Sequence, residues 1–241
     1  HFAHWFEEQM ICPVTMIPNF NVAGHQAPFQ PVREPAILFI GQAGDFHPRR
    51  RHLLNAIKQA GLPLTEGQAE PEDAARLYGQ AQIVFNCSLN GDINMRVFEV
   101  LAAGGCLVSD RLSASAGLNE LFEDGLHLAL YDNETDLIPL LMRLLANPLQ
   151  ALALAENGKQ DYWAHHSPDI RRRQVCDFVS RGNAPQLVAP SPLRPSADIS
   201  LIERAALYEQ LQEAQRSAIA ALPLYMDPAL PEILADDASD L

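Results

Sequence analysis

Between Ala36 and Tyr162, short uninterrupted apolar runs take turns with longer stretches of helical period, and no other feature constrains the chain so tightly. Ala36-Ile37-Leu38-Phe39-Ile40 ends at Gly41, Gln82-Ile83-Val84-Phe85-Asn86 runs into a polar loop, and Cys106-Leu107-Val108-Ser109 follows. A strand that is apolar at every residue, not every second one, must be covered on both faces, as in a parallel sheet between helices. Leu62-Pro63-Leu64-Thr65 reads as a weaker second strand, and Leu126 to Tyr131 as the last one. Helical spacing marks Arg50 to Ala60, Glu72 to Gln80, Asn94 to Ala103, Leu118 to Phe122, Glu134 to Ala146 and Leu149 to Tyr162. The alternation predicts an α/β fold with a doubly wound, Rossmann-like parallel sheet.

The 241 residues suit one such domain with extensions. Residues 1–31 hold an apolar run, Met10 to Ile17, and a proline-rich connector; 32–181 form the main unit. The stretch 182–198 is rich in Pro, Ser and Ala and reads as a linker. Asp198 or Ser200 then caps a helix to about Leu222, with Leu201, Ala205, Tyr208 and Leu211 on its apolar face, ahead of an acidic tail. The chain begins at His1 in mid-pattern, so it reads as a fragment or a processed product.

Thirty acids against 17 bases give a formal net charge of −13. Such a surface argues against broad binding to nucleic acid or anionic lipid, while leaving room for a local basic pocket. No apolar run reaches the roughly 18 residues of a membrane span. Cys12, Cys87, Cys106 and Cys176 are widely spaced, which fits a reducing compartment and leads to the expectation of a cytoplasmic protein. His165-His166 and His1/His4 are read as lacking a carboxylate or cysteine at ligand spacing, and Asp132-Asn133-Glu134 suits a helix cap, so no metal site is expected. A Gly-x-Ser-x-Gly elbow is absent.

In an open parallel sheet ligands sit at the carboxyl ends of the strands, where helices begin. Two loops qualify. Gly41-Gln42-Ala43-Gly44-Asp45-Phe46-His47-Pro48-Arg49-Arg50-Arg51 offers glycines for close backbone approach and arginines near a helix start. It lacks the endings of the known phosphate loops, and a solvated basic turn explains it as well. The second loop, Asn86 to Arg96, opens a helix that carries Glu99 one turn in. Free amides at Asn94, Met95 and Arg96 suit a diphosphate, and a short fixed carboxylate suits the two hydroxyls of a ribose. The competing reading pairs Glu99 with Arg96 at i,i+3, worth a few tenths of a kcal/mol.

The run Asn94-x-Arg96-x-Phe98-Glu99-x-x-Ala102-x-Gly104, followed by Leu107-x-Ser109-Asp110, Gly117-Leu118-x-Glu120-Leu121-Phe122-x-x-Gly125 and Tyr131-Asp132, resembles the C-terminal domain of GT-B glycosyltransferases. It is most similar to the group-1 branch that includes the CgeB-like proteins, over residues 36 to 181. The resemblance implies the donor half of a two-domain sugar transferase. Its substrate would be a nucleotide diphosphate sugar, with no metal and no other cofactor. An unknown acceptor (protein, glycan or lipid) would be held by an N-terminal domain or partner chain. By the same resemblance Glu99 binds the donor ribose, Asn94, Met95 and Arg96 meet the diphosphate, Arg50 beside Gly41 partners a phosphate, and Asn86 to Asn90 border the base. Many relatives place a second glutamate eight residues before the first; here that position is Gly91, with Asp92 as the adjacent substitute. No catalytic base is identified. A non-catalytic nucleotide- or partner-binding module and a nucleotide-sugar epimerase remain alternatives.

Overall fold

The structure, a computed structural model, describes residues 15, 17–21, 28–44, 47–89 and 91–182. Five strands make one parallel sheet: β1 (Glu34–Ile40), β2 (Leu64–Gly67), β3 (Ala81–Phe85), β4 (Leu107–Asp110) and β5 (Ala129–Tyr131). Their order is β2-β1-β3-β4-β5. The helices are α1 (Pro48–Gln59), α2 (Pro71–Gln80), α3 (Met95–Ala103), α4 (Leu118–Leu121), α5 (Glu134–Ala146), α6 (Pro148–Asp161) and α7 (Pro168–Arg181), with a π-helical turn at Tyr162–His166.

Both faces of the sheet are covered, which is why its strands are apolar throughout. Ile37, Phe39, Ile83, Phe85 and Val108 point into one core with Leu53 and Ile57 of α1, Leu141 of α5 and Leu154 of α6. The residues between them, Leu38, Ile40, Val84 and Leu107, point into a second core with Tyr78 of α2 and Phe98 and Leu101 of α3. Burying each large apolar side chain contributes about 1.5–3 kcal/mol, so the two cores dominate the stability. The expected doubly wound α/β architecture is the one found.

Some boundaries differ for local reasons. The Leu62 amide donates to the Ile57 carbonyl and closes the end of α1, so β2 starts only at Leu64. The last strand is confined to Ala129–Tyr131, because residues 124–128 turn back on themselves: the Gly125 amide donates to Leu128 O at 2.8 Å. Most of the strand read at Met10 to Ile17, and all of the linker beyond Gly182, the 199–222 helix and the acidic tail, lie outside the described residues. Among the described residues no single helix is long and apolar enough to cross a membrane.

The connector into β1 is pinned at the amino ends of the strands. Arg33 donates to Gly104 O (2.6 Å) and Ala81 O (3.4 Å), capping the last turn of α3 with a cation. Gly104, at φ +80°, turns the chain out of α3, and a side chain there would meet Lys159 at 2.9 Å and Phe29 at 3.2 Å. Further upstream, Asn19 Nδ2 donates to Ile93 O (3.5 Å) and the Asn21 amide to the Tyr162 hydroxyl (3.1 Å).

Candidate functional site

The strand order fixes where a ligand can sit. From β1 the chain moves outward to β2, then crosses back to β3 on the other side of β1, so the connections after β1 and β3 leave in opposite directions. A crevice opens at such a switch point, beyond the carboxyl ends of the two strands. The two loops singled out from sequence are the ones that follow β1 and β3, and the topology brings them together.

The buried ring of Phe39 forms the floor, with Arg96 Cζ 4.7 Å and Arg50 Cζ 5.4 Å from its centroid. Such contacts hold a guanidinium by about 0.5–2 kcal/mol. Arg96 donates to Asn86 Oδ1 (3.0 Å) and hydrogen-bonds the Tyr78 phenol, whose pKa burial nevertheless pushes up to about 12. Arg50 donates to Gln42 O (2.7 Å) and Cys87 O (3.1 Å), stapling the first turn of α1 to both loops. Burial first, then the neighbouring charge of Arg96, works against the Arg50 cation and lowers its pKa. Neither guanidinium has a carboxylate at ion-pair distance among the described residues. Arg50 Nε, Arg96 Nε and Asn94 Oδ1 are buried there without a hydrogen-bond partner in the protein. Orphans of this kind are rare enough to need a reason.

Helix α3 begins at Met95 with Asn94 as its N-cap residue, and the Asn94 side chain does not cap it. Asn94 Nδ2 donates instead to Asn86 Oδ1 (3.0 Å). The Met95 and Arg96 amides therefore keep the unpaired hydrogens of a helix start, with the positive end of the dipole behind them. Glu99 is half-buried one turn further along, and its carboxylate makes no hydrogen bond or ion pair among the described residues. The i,i+3 pairing with Arg96 does not form, because Asn86, Tyr78 and Phe39 draw Arg96 to the floor of the crevice.

Gly41 makes that placement of Arg96 possible. An ideal Cβ at Gly41 would lie 2.1 Å from Arg96 Nη2, and its φ is +147°, so only glycine fits both the backbone and the neighbour. Gly91, where the resemblance led to the expectation of a second glutamate, is at φ +70°; the loop there takes a left-handed turn that disfavours a side chain. Asp92 is exposed beside it, and Asn90 lies outside the described residues.

Asn86 takes a different part from the expected border of the base. It is 1 % exposed, and its side chain is committed to protein groups, Nδ2 to Ser109 Oγ (2.9 Å) and Oδ1 to Asn94 and Arg96. It aims Arg96 and ties the helix start to β4. Sequence reasoning also missed the cluster behind it. Asp110, 2 % exposed at the end of β4, accepts from the Ser88 amide (2.9 Å), Ser88 Oγ (2.6 Å) and Arg49 Nη1 (2.7 Å). Tyr131 donates its hydroxyl to Asn86 O (3.1 Å). An acid closing an apolar strand, Val108-Ser109-Asp110, was the available signal. Among the described residues no group of three His, Cys, Asp or Glu is placed to hold a metal ion.

Fold and site thus define a doubly wound α/β domain with a cationic crevice at its switch point. Comparison with known proteins places that class within a family. The profile of the glycosyl transferase-like family matches residues 44–177, more than half of the 241-residue chain. The chain belongs to the glycosyl transferase-like family. No curated protein matches its sequence. Among solved structures it is similar to a TarM mutant of S. aureus in complex with Fondaparinux, alpha-GlcNAc-glycerol and UDP (TM-score 0.57, 13% identity, 74% of this chain and 42% of that one). A second TarM structure gives TM-score 0.52 at 15% identity, over 68% of this chain and 39% of that one. HepE of Anabaena in complex with UDP gives 0.49 at 12%, over 60% of this chain and 48% of that one. The TarM likeness bears out the expected GT-B type of fold, and the chain spans about two fifths of the length of the TarM structures it matches.

Proposed function

We propose that the chain is the donor-binding part of a glycosyltransferase and holds a nucleotide diphosphate sugar in the β1/β3 crevice. The observation that carries this is the pair Arg50 and Arg96, two guanidiniums on one ring with orphaned Nε donors and no carboxylate between them. A buried like-charged pair is held together at a cost that an anionic ligand removes. The diphosphate meets the Arg96 charge and the Met95 and Arg96 amides, while Glu99 accepts from the ribose hydroxyls.

In the transfer itself the bond from the sugar's anomeric carbon to the terminal phosphate oxygen breaks as an acceptor hydroxyl attacks that carbon. The negative charge that builds on the departing diphosphate falls where the guanidiniums and the helix start are already aimed, so no groups need to reorganise. Those groups supply the positive potential for leaving-group departure, and this supports transfer without a metal. The acceptor, whether protein, glycan or lipid, and the base that takes its proton are held outside the described residues. Three free thiols, Cys87, Cys106 and Cys176, support a cytoplasmic location. A second reading, a nucleotide-binding module without turnover, is favoured by the left-handed glycine where many relatives carry a glutamate.

UDP, GDP, dTDP and CMP, each tested by thermal shift and calorimetry on the full chain, decide the matter. At a hundredfold excess over Kd a ligand stabilises the folded state by about 2.7 kcal/mol. One diphosphate is expected to produce a shift of that order. The Glu99→Gln variant is expected to lose about ten- to a hundredfold in affinity, the size of one charge-assisted hydrogen bond. No shift with any nucleotide overturns the donor-site reading, and binding by wild type with turnover of no nucleotide sugar by the full-length protein selects the second reading.

A further inference from the structure

Behind the crevice stand three arginine-class charges and one buried acid, and their pairing is uneven. Arg49 and Arg50 are neighbours in the first turn of α1, yet Arg49 goes to Asp110 (2.7 Å) and Arg50 goes only to backbone carbonyls. Asp110 is filled: Oδ1 accepts from the Ser88 amide (2.9 Å) and Ser109 Oγ (3.3 Å), Oδ2 from Ser88 Oγ (2.6 Å) and Arg49. Arg49 Nη1 also lies 3.4 Å from Ser88 O and from Cys87 Sγ, so the pair is lodged against the loop whose Cys87 carbonyl holds Arg50.

Resting on the donor-site reading above, we infer that Arg49 is a positioning residue that keeps the Asp110 carboxylate away from Arg50, and so leaves Arg50 and Arg96 uncompensated for a diphosphate. The buried acid in the cluster is Asp110, and through space it already favours the Arg50 cation. Arg50 is held one residue from where Ser88 meets Asp110, on the Cys87 carbonyl. Without Arg49, the carboxylate loses its cation, and Arg50 becomes the near charge that can satisfy it. A guanidinium so paired offers less to a phosphate, because a bound anion must then share it with a carboxylate or displace one. Arg49 acts without touching the ligand: it occupies the acid that would otherwise occupy the site.

The test is UDP binding by calorimetry on the full chain, with Glu99→Gln as the control for the site itself. Arg49→Met is expected to weaken UDP binding about tenfold, the size of one charge-assisted hydrogen bond. Arg49→Lys, which keeps the charge, is expected to return most of the affinity. Adding Asp110→Asn to Arg49→Met removes the carboxylate that was set loose, and is expected to bring UDP affinity back to within about threefold of wild type, the scale of uncertainty in such couplings. A merely structural role for Arg49 predicts the opposite, since a second substitution in the same buried cluster would compound the damage. The inference is overturned if Arg49→Met binds UDP like wild type, or if the double variant is as weak as the single one. Should Arg49→Met fail to fold, the comparison of Arg49→Lys with the double variant decides alone, both being expected to bind. Where the wild-type chain prefers GDP or dTDP, that diphosphate replaces UDP in the same comparison; a wild-type chain that binds none of the three removes the donor-site reading and this inference together. Binding that Glu99→Gln abolishes and Arg49→Met spares removes this inference alone.

Discussion

Replacing Gly41 by alanine isolates the contact on which the crevice depends. The new methyl carbon would stand 2.1 Å from Arg96 Nη2 and 3.3 Å from Arg96 Cζ, at a φ of +147°. Two costs arise separately. The backbone cost, for a side chain in a region left almost entirely to glycine, is about 1–3 kcal/mol. The contact cost follows from pushing the guanidinium off its seat. Arg96 gives up its bond to Asn86, worth about 1.5–3 kcal/mol for a charged donor, and its place over Phe39, but recovers part by meeting water. A total near 3 kcal/mol follows, which for a domain of this size lowers Tm by roughly 6–12 °C. Urea unfolding of four proteins (wild type, Gly41→Ala, Arg96→Ala and both) measures the two parts. In the Arg96→Ala background only the backbone cost is left, so Gly41→Ala should be milder there by at least about 1 kcal/mol. Equal cost in both backgrounds, or a single variant within about 0.5 kcal/mol of wild type, refutes the reasoning.

Gly158, inside α6, gives a reversal of sign. An alanine in a helix interior ordinarily gains about 0.5–1 kcal/mol over glycine, but here its Cβ would lie 2.4 Å from the His127 carbonyl oxygen and 2.7 Å from Leu101 Cδ2. Gly158→Ala is therefore expected to destabilise by about 1–3 kcal/mol in urea, and any gain contradicts the packing described. Burial pushes the Cys87 thiol up to about 11 and Cys106 to about 12. Between the unfolded value of about 8.5 and those figures the native state binds more protons than the unfolded one, so stability is full below about pH 8.5 and falls as pH rises. Unfolding midpoints at pH 8 and pH 10 check the direction, and a thiol reagent at pH 8 should label exposed Cys176 quickly while sparing Cys87 and Cys106 until the chain unfolds.

What the sequence revealed and what it hid divide along the range of the interactions. β1, β3 and α3 were legible because each announces itself locally, by an unbroken apolar run or by helical spacing with a small-residue stop. The crevice followed from them, since the β-α alternation dictates which loops meet. The roles of the polar residues were less readable. Arg49 and Arg50 look alike in sequence, and only their positions around the first turn of α1 send one to Asp110 and the other over Phe39. Asn86 closes an apolar run and opens a polar loop, a place the resemblance gives to the border of the base, yet its side chain is sealed by Ser109, 23 residues away. Asp110 meets Arg49 across 61 residues, a separation that no local pattern encodes.

The connector has a mechanical consequence. Asn19 rests against Ile93 at the mouth of the crevice, whereas Phe29 and Arg33 are clamped to Gly104 at the far end of α3. Any upstream region is thus tethered beside the very turn that starts the helix carrying Glu99. Because the Asn21 amide also holds the hydroxyl of core residue Tyr162, that segment bears on the start of the helix and on the packing beneath it at once.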